Sequence, residues 1–244
     1  MELNGKKLLI VDDEPDLREM ISFEFDLLGV NVLEASSGNE AIEVLNSNSD
    51  VDAIISDIRM PNGDGLSLLK HVAKNTNRSP FIFISGFADL SAEEAFFHGA
   101  QSIFSKPFDL QNLVDEVKYY LQTWSDRLSE KPGSVDTKIT QDIESFESAR
   151  DNNKFDFSAY GFYFQTPEKL AFDQVFEFDF TGNGNTLLSG VAKVKWIDKN
   201  DQGQPELTVG AEFIWLSPES NEVIKSKHDT ERYNSPFIPC SKSF

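Results

Sequence analysis

The stretch Lys7-Leu8-Leu9-Ile10-Val11-Asp12-Asp13-Glu14-Pro15 decides the fold of the first half of the chain. A short apolar run that ends in acidic residues is typical of a parallel strand buried on both faces. Proline is favoured in the first turn of a helix, and after Pro15 the apolar residues Leu17, Ile21 and Phe25 recur at helical spacing. The stretch therefore predicts a strand, a turn rich in carboxylates and an amphipathic helix.

The same alternation of strand and helix continues to residue 121. Further apolar runs predict strands at 30–33, 53–56, 81–85 and 102–104, and the segments between and after them have helical periodicity at 38–45, 66–73, 92–98 and 110–121. Five strands alternating with five helices predict an α/β fold with a doubly wound, five-stranded parallel sheet. In such a fold the ligand site lies at the carboxyl ends of the strands.

Polar residues follow the predicted strands at that edge of the sheet. They are Asp12, Asp13, Asp57, Ser85 and Lys106. Carboxylates brought together repel one another unless a cation lies among them, and oxygen ligands of this number suit Mg²⁺ with waters and a phosphoryl oxygen. The sequence therefore predicts a site for a metal ion and a phosphate.

Residues 5–124 resemble the receiver domain of a two-component response regulator. The matching motifs, in chain order, are Val11-Asp12-Asp13-Glu14-Pro15, Asp57 with Met60-Pro61-Asn62-Gly63-Asp64-Gly65, Ser85-Gly86, and Phe104-Ser105-Lys106-Pro107-Phe108. The resemblance implies a phosphorylation-controlled switch that is not an enzyme and that accepts its phosphoryl group from a sensor histidine kinase or a phosphotransfer protein.

The resemblance also assigns a role to each residue of the site. Asp57 is the expected phosphoacceptor, and Mg²⁺ is expected on Asp12, Asp13, Asp57 and the backbone carbonyl of Arg59. The remaining residues are expected to contact the phosphoryl group and to switch with it, and these are Ser85, Phe104 and Lys106. A hydrolase with an aspartyl-phosphate intermediate is the alternative; it would need a second Asp two residues after Asp57, where this chain has Arg59.

The second half begins after a segment rich in turn and breaker residues, Ser125–Ser134. We expect a receiver over residues 1–124, a linker over 125–153 and a second domain over 154–244. Between Ser134 and Arg150 an apolar stripe predicts an amphipathic helix in the linker. This helix would dock on a domain or pair with a second copy of itself.

From residue 155 onward apolar and polar residues alternate, which predicts a small antiparallel β-barrel, and Ser217-Pro218-Glu219 predicts a C-terminal helix. This half resembles a PilZ domain, whose family is a six-stranded barrel that binds cyclic di-GMP. The matching motifs are Asp156-Phe157-Ser158-Ala159-Tyr160-Gly161, Val191–Ile197 and Val209-Gly210-Ala211-Glu212-Phe213. By resemblance, the candidate nucleotide-binding residues are Arg150, Lys154, Asp156, Ser158 and Gly161.

Charge limits the ligands that this second half could take. The chain has a formal net charge of −19, and residues 125–244 hold only three arginines, Arg127, Arg150 and Arg232. The PilZ family grips its dianionic ligand with an Arg-x-x-x-Arg motif before the first strand, and arginine suits phosphates and guanine edges. Arg150 and Lys154 have that spacing, but Lys154 lies only two residues before Asp156. We therefore expect an output through a downstream protein or a homodimer, with cyclic di-GMP binding as the alternative.

The same acidity argues against DNA as a partner, because a phosphate-backbone binder needs a basic surface. No apolar run approaches the ~18 residues that a membrane span requires, so no membrane insertion is expected. The single cysteine, Cys240, excludes an intramolecular disulfide, and with no export signal visible the chain is expected to be cytoplasmic.

Overall fold

The computed structural model describes residues 2–74, 79–86, 90–122, 124–128, 130–198 and 206–228. The tail predicted after the C-terminal helix, residues 229–244, lies outside this range. The chain divides into two compact units, Met1–Gln122 and Thr123–Phe244. Each unit is described by itself below.

The first unit is a five-stranded parallel sheet with helices between the strands, as predicted. The strands are β1 (Lys7–Val11), β2 (Asn31–Ala35), β3 (Ala53–Asp57), β4 (Phe81–Ser85) and β5 (Ser102–Ser105). The helices are α1 (Pro15–Leu27), α2 (Gly38–Ser47), α3 (Gly65–Lys74), α4 (Ala92–Phe97) and α5 (Leu110–Leu121). The strand order is β2-β1-β3-β4-β5. The three central strands, β1, β3 and β4, have the most continuous apolar sequences.

Local sequence explains where these elements begin. Every residue of β3 and β4 is buried, as expected for strands covered on both faces. Ser37 and Asp109 cap the helices that follow them by accepting hydrogen bonds from backbone N–H groups of the first turn. Ser91 and Glu94 form a reciprocal capping box at the start of α4. These caps satisfy donors that the helices themselves leave unpaired.

Within its described residues, the second unit has one six-stranded sheet and three short helices. The strands are β6 (Lys138–Asp142), β7 (Phe155–Phe157), β8 (Gly161–Thr166), β9 (Val175–Gly182), β10 (Asn185–Ile197) and β11 (Leu207–Leu216). The helices are α6 (Trp124–Arg127), α7 (Phe146–Asp151) and α8 (Pro218–His228), of which α8 is the predicted C-terminal helix.

This second sheet is a curled, mixed half-barrel, and the prediction of an antiparallel barrel was wrong in two respects. The strand order is β6-β9-β10-β11-β8-β7, so β6 and β7 are its two edge strands. Strand β6 also runs parallel to β9, with Ile139 opposite Phe178, whereas the other pairs are antiparallel. Strand β6, which forms the parallel pair, comes before the five antiparallel strands in the chain.

The predicted linker helix between Ser134 and Arg150 was also wrong. The structure has strand β6 at Lys138–Asp142, a tight turn with Glu144 at φ 60°, and only then the short helix α7. Ile139 and Ile143 lie four residues apart and both are buried, so their spacing imitates a helical stripe. The β-branched residues around them instead favour the extended backbone that pairing with β9 provides.

Phenylalanine dominates the core of the second unit. The fully or almost fully buried rings are Phe155, Phe157, Phe162, Phe164, Phe176, Phe178, Phe180 and Phe213. Phe162 lies near the centre of this group, with ring centroids 4.9 Å from Phe178 and 5.3 Å from Phe213. These side chains alternate along strands β8 and β9, so one face of the curled sheet is apolar.

Across the described residues the structure contains no helix that is both long enough and apolar enough to cross a membrane.

Candidate functional site

Strand pairing brings the predicted site residues of the first unit together. Val11 of β1 pairs with Ser56 of β3, so the residues that follow them, Asp12 and Asp57, come side by side at the carboxyl edge. On the other side of β3, Ser85 ends β4 and pairs with Ser105. The backbone N–H of Lys106 then donates a hydrogen bond of 2.7 Å to the carbonyl of Ser85.

Three carboxylates form the negative part of the site. Asp12, Asp13 and Asp57 each offer an oxygen, and these oxygens all lie within 4.8 Å of one another. Asp12 and Asp57 are buried and Asp13 is exposed. Burial raises the pKa of the Asp57 carboxyl above its ordinary value; the nearby Lys106 opposes this rise and the charge of Asp12 adds to it.

The donor set fits a hard divalent cation. All of the ligand atoms are carboxylate oxygens, which Mg²⁺ prefers, and a partly open cluster leaves room for the waters that Mg²⁺ usually keeps. A bound cation would also reduce the repulsion that burial of two carboxylates creates. Asp12, Asp13 and Asp57 are thus suited to hold the ion.

Lys106 supplies the positive part of the site. Its ammonium Nζ lies 3.0 Å from Asp12 Oδ2, 2.8 Å from Glu14 Oε1 and 3.3 Å from Asp57 Oδ2. Burial lowers the pKa of Lys106, but the hydrogen bonds to Glu14 and Asp12 and the charges of Asp12 and Asp57 outweigh burial and raise the pKa above its ordinary value. The side chain therefore carries its positive charge at neutral pH.

The predicted switch residues lie close to the site without touching the carboxylates in the contacts described. Ser85 is buried, and its hydroxyl donates a hydrogen bond of 2.7 Å to the carbonyl of Gly86. Phe104 is partly buried, with its ring centroid 6.1 Å from that of Phe108 in an edge-on contact. Arg59 is exposed two residues after Asp57, and the role of its carbonyl as a ligand stays a prediction.

Backbone packing fixes the position of Asp57. Its Oδ1 accepts a hydrogen bond of 2.7 Å from the N–H of Ile58. Gly65 begins α3 so close behind it that a Cβ atom there would lie 2.1 Å from the Asp57 carbonyl oxygen. The sequence predicts no role for this glycine or for Glu14; their only signal is their place within the motifs around Asp57 and Asp12.

The predicted nucleotide-binding residues of the second unit are spread over several elements. Arg150 belongs to α7 and lies 3.9 Å from Asp151, while Lys154 precedes β7. Asp156 lies within β7, and its Oδ1 accepts a hydrogen bond from the N–H of Phe157.

Ser158 and Gly161 form the turn between β7 and β8. The buried hydroxyl of Ser158 accepts a hydrogen bond from Tyr160 N–H, and Ser158 N–H donates to the carbonyl of Gly161 at 2.7 Å. In this structure the pair therefore shapes a turn.

A buried charged cluster in the second unit was missed. The guanidinium of Arg127, whose side chain is 1% exposed, lies 3.3 Å from Glu212 Oε1 and 4.1 Å from the centre of the Tyr160 ring. Lys195 lies 3.3 Å from the other oxygen of Glu212. Lys131, four residues after Arg127, lies 4.8 Å from the centre of the Trp215 ring. Only tertiary folding brings these distant residues together.

Comparison with known families assigns the first unit. The model of the response regulator receiver domain matches residues 8–118, which span β1 to α5 and include all the site residues of this unit. The chain is 37% identical over 120 residues to the regulatory protein AtoC of Escherichia coli K12. It is 29% identical over 118 residues to sporulation initiation phosphotransferase F of Bacillus subtilis 168.

These two matches cover about half of this chain. The AtoC match covers 49% of this chain and 26% of AtoC, and the match to sporulation initiation phosphotransferase F covers 48% and 94%. The chain spans 22% to 30% of the length of AtoC and of the regulators PilR of Pseudomonas aeruginosa and NtrC of Klebsiella pneumoniae.

Among solved structures, the receiver domain of the Francisella response regulator 1452 is 30% identical to this chain, with a TM-score of 0.44. The match covers 47% of this chain and 94% of the Francisella domain. TrrA of Thermotoga maritima, solved with Mg²⁺ and beryllofluoride, is 28% identical over 48% of this chain and 99% of its own, also with a TM-score of 0.44. By sequence, motif and strand order, the first unit of this chain is a receiver domain of the response regulator family, a class of domain that acts in phosphorylation-controlled signalling.

Proposed function

We propose that Asp57 accepts a phosphoryl group from a sensor histidine kinase or a phosphotransfer protein, with Mg²⁺ held by Asp12, Asp13, Asp57 and the carbonyl of Arg59. The single observation that carries this proposal is the position of the Asp57 carboxylate between two carboxylates and the Lys106 ammonium. A nucleophilic carboxylate needs positive charge on both sides, because it must approach a phosphorus atom surrounded by negative oxygens.

The reaction forms one bond and breaks one. An oxygen of Asp57 attacks the phosphorus of a phosphohistidine, the P–O bond forms, and the P–N bond breaks with the imidazole as leaving group. Bound Mg²⁺ would supply charge neutralisation to the transferring group. Lys106 would pair with a phosphoryl oxygen, because its ammonium already lies 3.3 Å from the accepting carboxylate. Ser85 would rotate its hydroxyl from the Gly86 carbonyl towards the new group.

Replacement of Asp57 tests this proposal directly. The Asp57→Asn variant should lose labelling by radioactive acetyl phosphate in the presence of Mg²⁺, since the amide is not a nucleophile. Asp50→Asn is the matched control, because Asp50 is an exposed acid paired with Lys7 at the opposite ends of the strands. Labelling of Asp57→Asn at the level of the control would contradict the proposal. Steady turnover of a phosphoester by the wild-type protein would instead favour the hydrolase alternative.

We propose further that phosphorylation acts on the second unit by protein interaction or by homodimerisation. Inward movement of Ser85 and Phe104 would alter the surface made by α4, β5 and α5, and a change in that surface would shift the population of the output-competent state. Phe104 is partly exposed and its ring contacts Phe108. The ring could therefore move from this surface position to a more buried one. Light scattering with and without beryllofluoride tests dimerisation, and an unchanged monomer mass would contradict it.

Cyclic di-GMP binding is a second candidate function for the PilZ-like unit, and one observation favours it. Because β6 (Lys138–Asp142) is the first strand of this sheet, residues 150–154 follow the first strand, whereas Arg127 and Lys131 precede it. Arg127 and Lys131 have the four-residue spacing of the family's Arg-x-x-x-Arg motif, with lysine in the second place. Arg127 also lies 4.1 Å from the ring centre of Tyr160, within the Asp156–Gly161 motif.

Calorimetric titration with cyclic di-GMP separates these outputs. If the nucleotide binds, Lys131→Ala should weaken binding, because it removes the second cation of this motif. Lys131 is half-exposed, so its loss leaves the buried pair of Arg127 and Glu212 intact. Arg150→Ala should leave it unchanged, since Arg150 lies on α7. Absence of heat with the wild-type protein would contradict nucleotide binding and would leave protein interaction as the proposed output.

A further inference from the structure

The Lys106 ammonium has more carboxylate neighbours than the proposed reaction uses. A lysine ammonium carries three N–H donors, and here three acceptors surround it, on Asp12, Asp57 and Glu14. The shortest of the three distances, 2.8 Å, is to Oε1 of Glu14. Asp12 and Asp57 have roles in the proposed reaction, whereas Glu14 has none.

The place of Glu14 in the chain makes this contact selective. Glu14 is the N-cap residue of α1, where Ser, Thr, Asp or Asn is preferred because a short side chain can accept a hydrogen bond from the first turn. The Glu14 side chain makes no such bond. Its backbone is held instead, since Glu14 N–H donates to Asp12 Oδ1 at 2.8 Å. The backbone thus orients a side chain that reaches Lys106 rather than its own helix.

We infer that Glu14 is a positioning residue that holds the Lys106 ammonium in place for phosphoryl transfer. The inference rests on the proposed function, in which Asp12 is a metal ligand and Asp57 carries the phosphoryl group. Both of these carboxylates acquire new partners during the reaction. Glu14 is then the acceptor whose oxygen stays available to Lys106 before and after transfer.

The exposure of the two side chains is consistent with this role. The Glu14 side chain is 63% exposed and that of Lys106 is 19% exposed, so the pair spans the rim of the site. An exposed ion pair contributes little to the stability of a fold. Its effect should therefore be found in the geometry of Lys106 and in the reaction, not in unfolding.

The test compares Glu14→Gln with Glu19→Gln. Glu19 is an exposed residue of α1, so this control removes the same charge without a described contact to Lys106. With acetyl phosphate as donor, Glu14→Gln should lower the labelling rate at saturating donor about three- to tenfold, because the ammonium loses its ion pair with a carboxylate and keeps only a weaker hydrogen bond to a neutral amide. The half-saturating donor concentration should stay close to that of Glu19→Gln.

Two further measurements separate positioning from a general charge effect. In metal-free protein, the ¹⁵N signal of the Lys106 side-chain ammonium should be visible in the wild type and broadened by faster proton exchange in Glu14→Gln. In a Lys106→Ala background, adding Glu14→Gln should cause no further fall in the labelling rate. The reason is that Glu14 acts through the Lys106 ammonium, which this background lacks.

The outcomes distinguish this inference from the proposed function. Wild-type protein that is not labelled by acetyl phosphate would overturn both. Labelled wild-type protein with an equal rate and an equal ammonium signal in Glu14→Gln would overturn the positioning role alone. An equal loss on adding Glu14→Gln to the wild type and to Lys106→Ala would also overturn it, because Glu14 would then act independently of Lys106.

Discussion

At two residues of the receiver, Asp57 and Lys106, burial and a neighbouring opposite charge shift the pKa in opposite directions. Asp57 has a raised pKa because its carboxyl is buried, although Lys106 opposes the rise. Lys106 has a raised pKa because its carboxylate neighbours outweigh burial. Both shifts depend on contacts made across strands, so neither could be understood from the residue's own segment of sequence.

His98 offers a prediction of pH-dependent stability at the residue scale. Burial lowers its pKa below the ordinary value; the charge of Lys70 adds to this effect and that of Glu94 opposes it. The unfolded chain then binds a proton more tightly than the folded chain. The stability from neutral His98 is complete above about pH 6.5 and is lost as pH falls from there through the lowered pKa.

Urea unfolding at about pH 7 and about pH 5.5 measures this effect. The free energy of unfolding of the wild-type receiver should fall between the two values, and His98→Gln should show a smaller fall. His71→Gln, on helix α3, is the matched control for removal of an imidazole. A fall in His98→Gln as large as that in the wild type would show that other groups cause it.

Elements differ in how well local pattern predicts them. The receiver helices and strands begin within one residue of their predicted starts, because proline, serine and aspartate mark the helix starts and the strands are apolar runs. Residues 134–150 were misread because isoleucines four apart suit a helix stripe as well as a strand next to a turn. Pairing of β6 with β9 over residues 138–142 decided between the two.

The strand interpretation makes a prediction at the element scale. Ile139 is 4% exposed inside the phenylalanine core, so Ile139→Ala should lower the free energy of unfolding by about 2 to 5 kcal/mol. Val135 lies outside β6 and is only partly buried, so Val135→Ala should cost less than about 1 kcal/mol. A helix with an apolar stripe would lose comparable stability at both positions, and denaturant unfolding would show it.

At the scale of the whole molecule, the chain contains two units, each with its own sheet and buried residues. The receiver core is aliphatic and aromatic, whereas the core of the second unit is built largely from phenylalanine. Since each core is assembled from residues of its own unit, damage to one should not remove the chemistry of the other.

Phe162→Ala tests this independence. Phe162 is fully buried, so its truncation should destabilise the second unit by about 3 to 5 kcal/mol. Labelling of Asp57 by acetyl phosphate should stay at the wild-type rate, because all residues of the proposed phosphorylation site belong to the first unit. Phe172→Ala, at a position 39% exposed, is the control for loss of a ring. A labelling rate that falls with Phe162→Ala alone would show that the receiver depends on the second unit.

The sequence by itself determined the parallel fold of the receiver and predicted the carboxylates and the lysine that meet at its carboxyl edge. That was possible because apolar strands and helix starts are local signals and because parallel strands place their carboxyl ends at one edge. The tertiary structure alone decided the contacts that join distant residues. These are the third carboxylate on Lys106 from Glu14, the pairing of β6 with β9, and the buried pair of Arg127 and Glu212. The physical reason is that ion pairs and strand partners depend on distance in space, which the order of residues along the chain does not state.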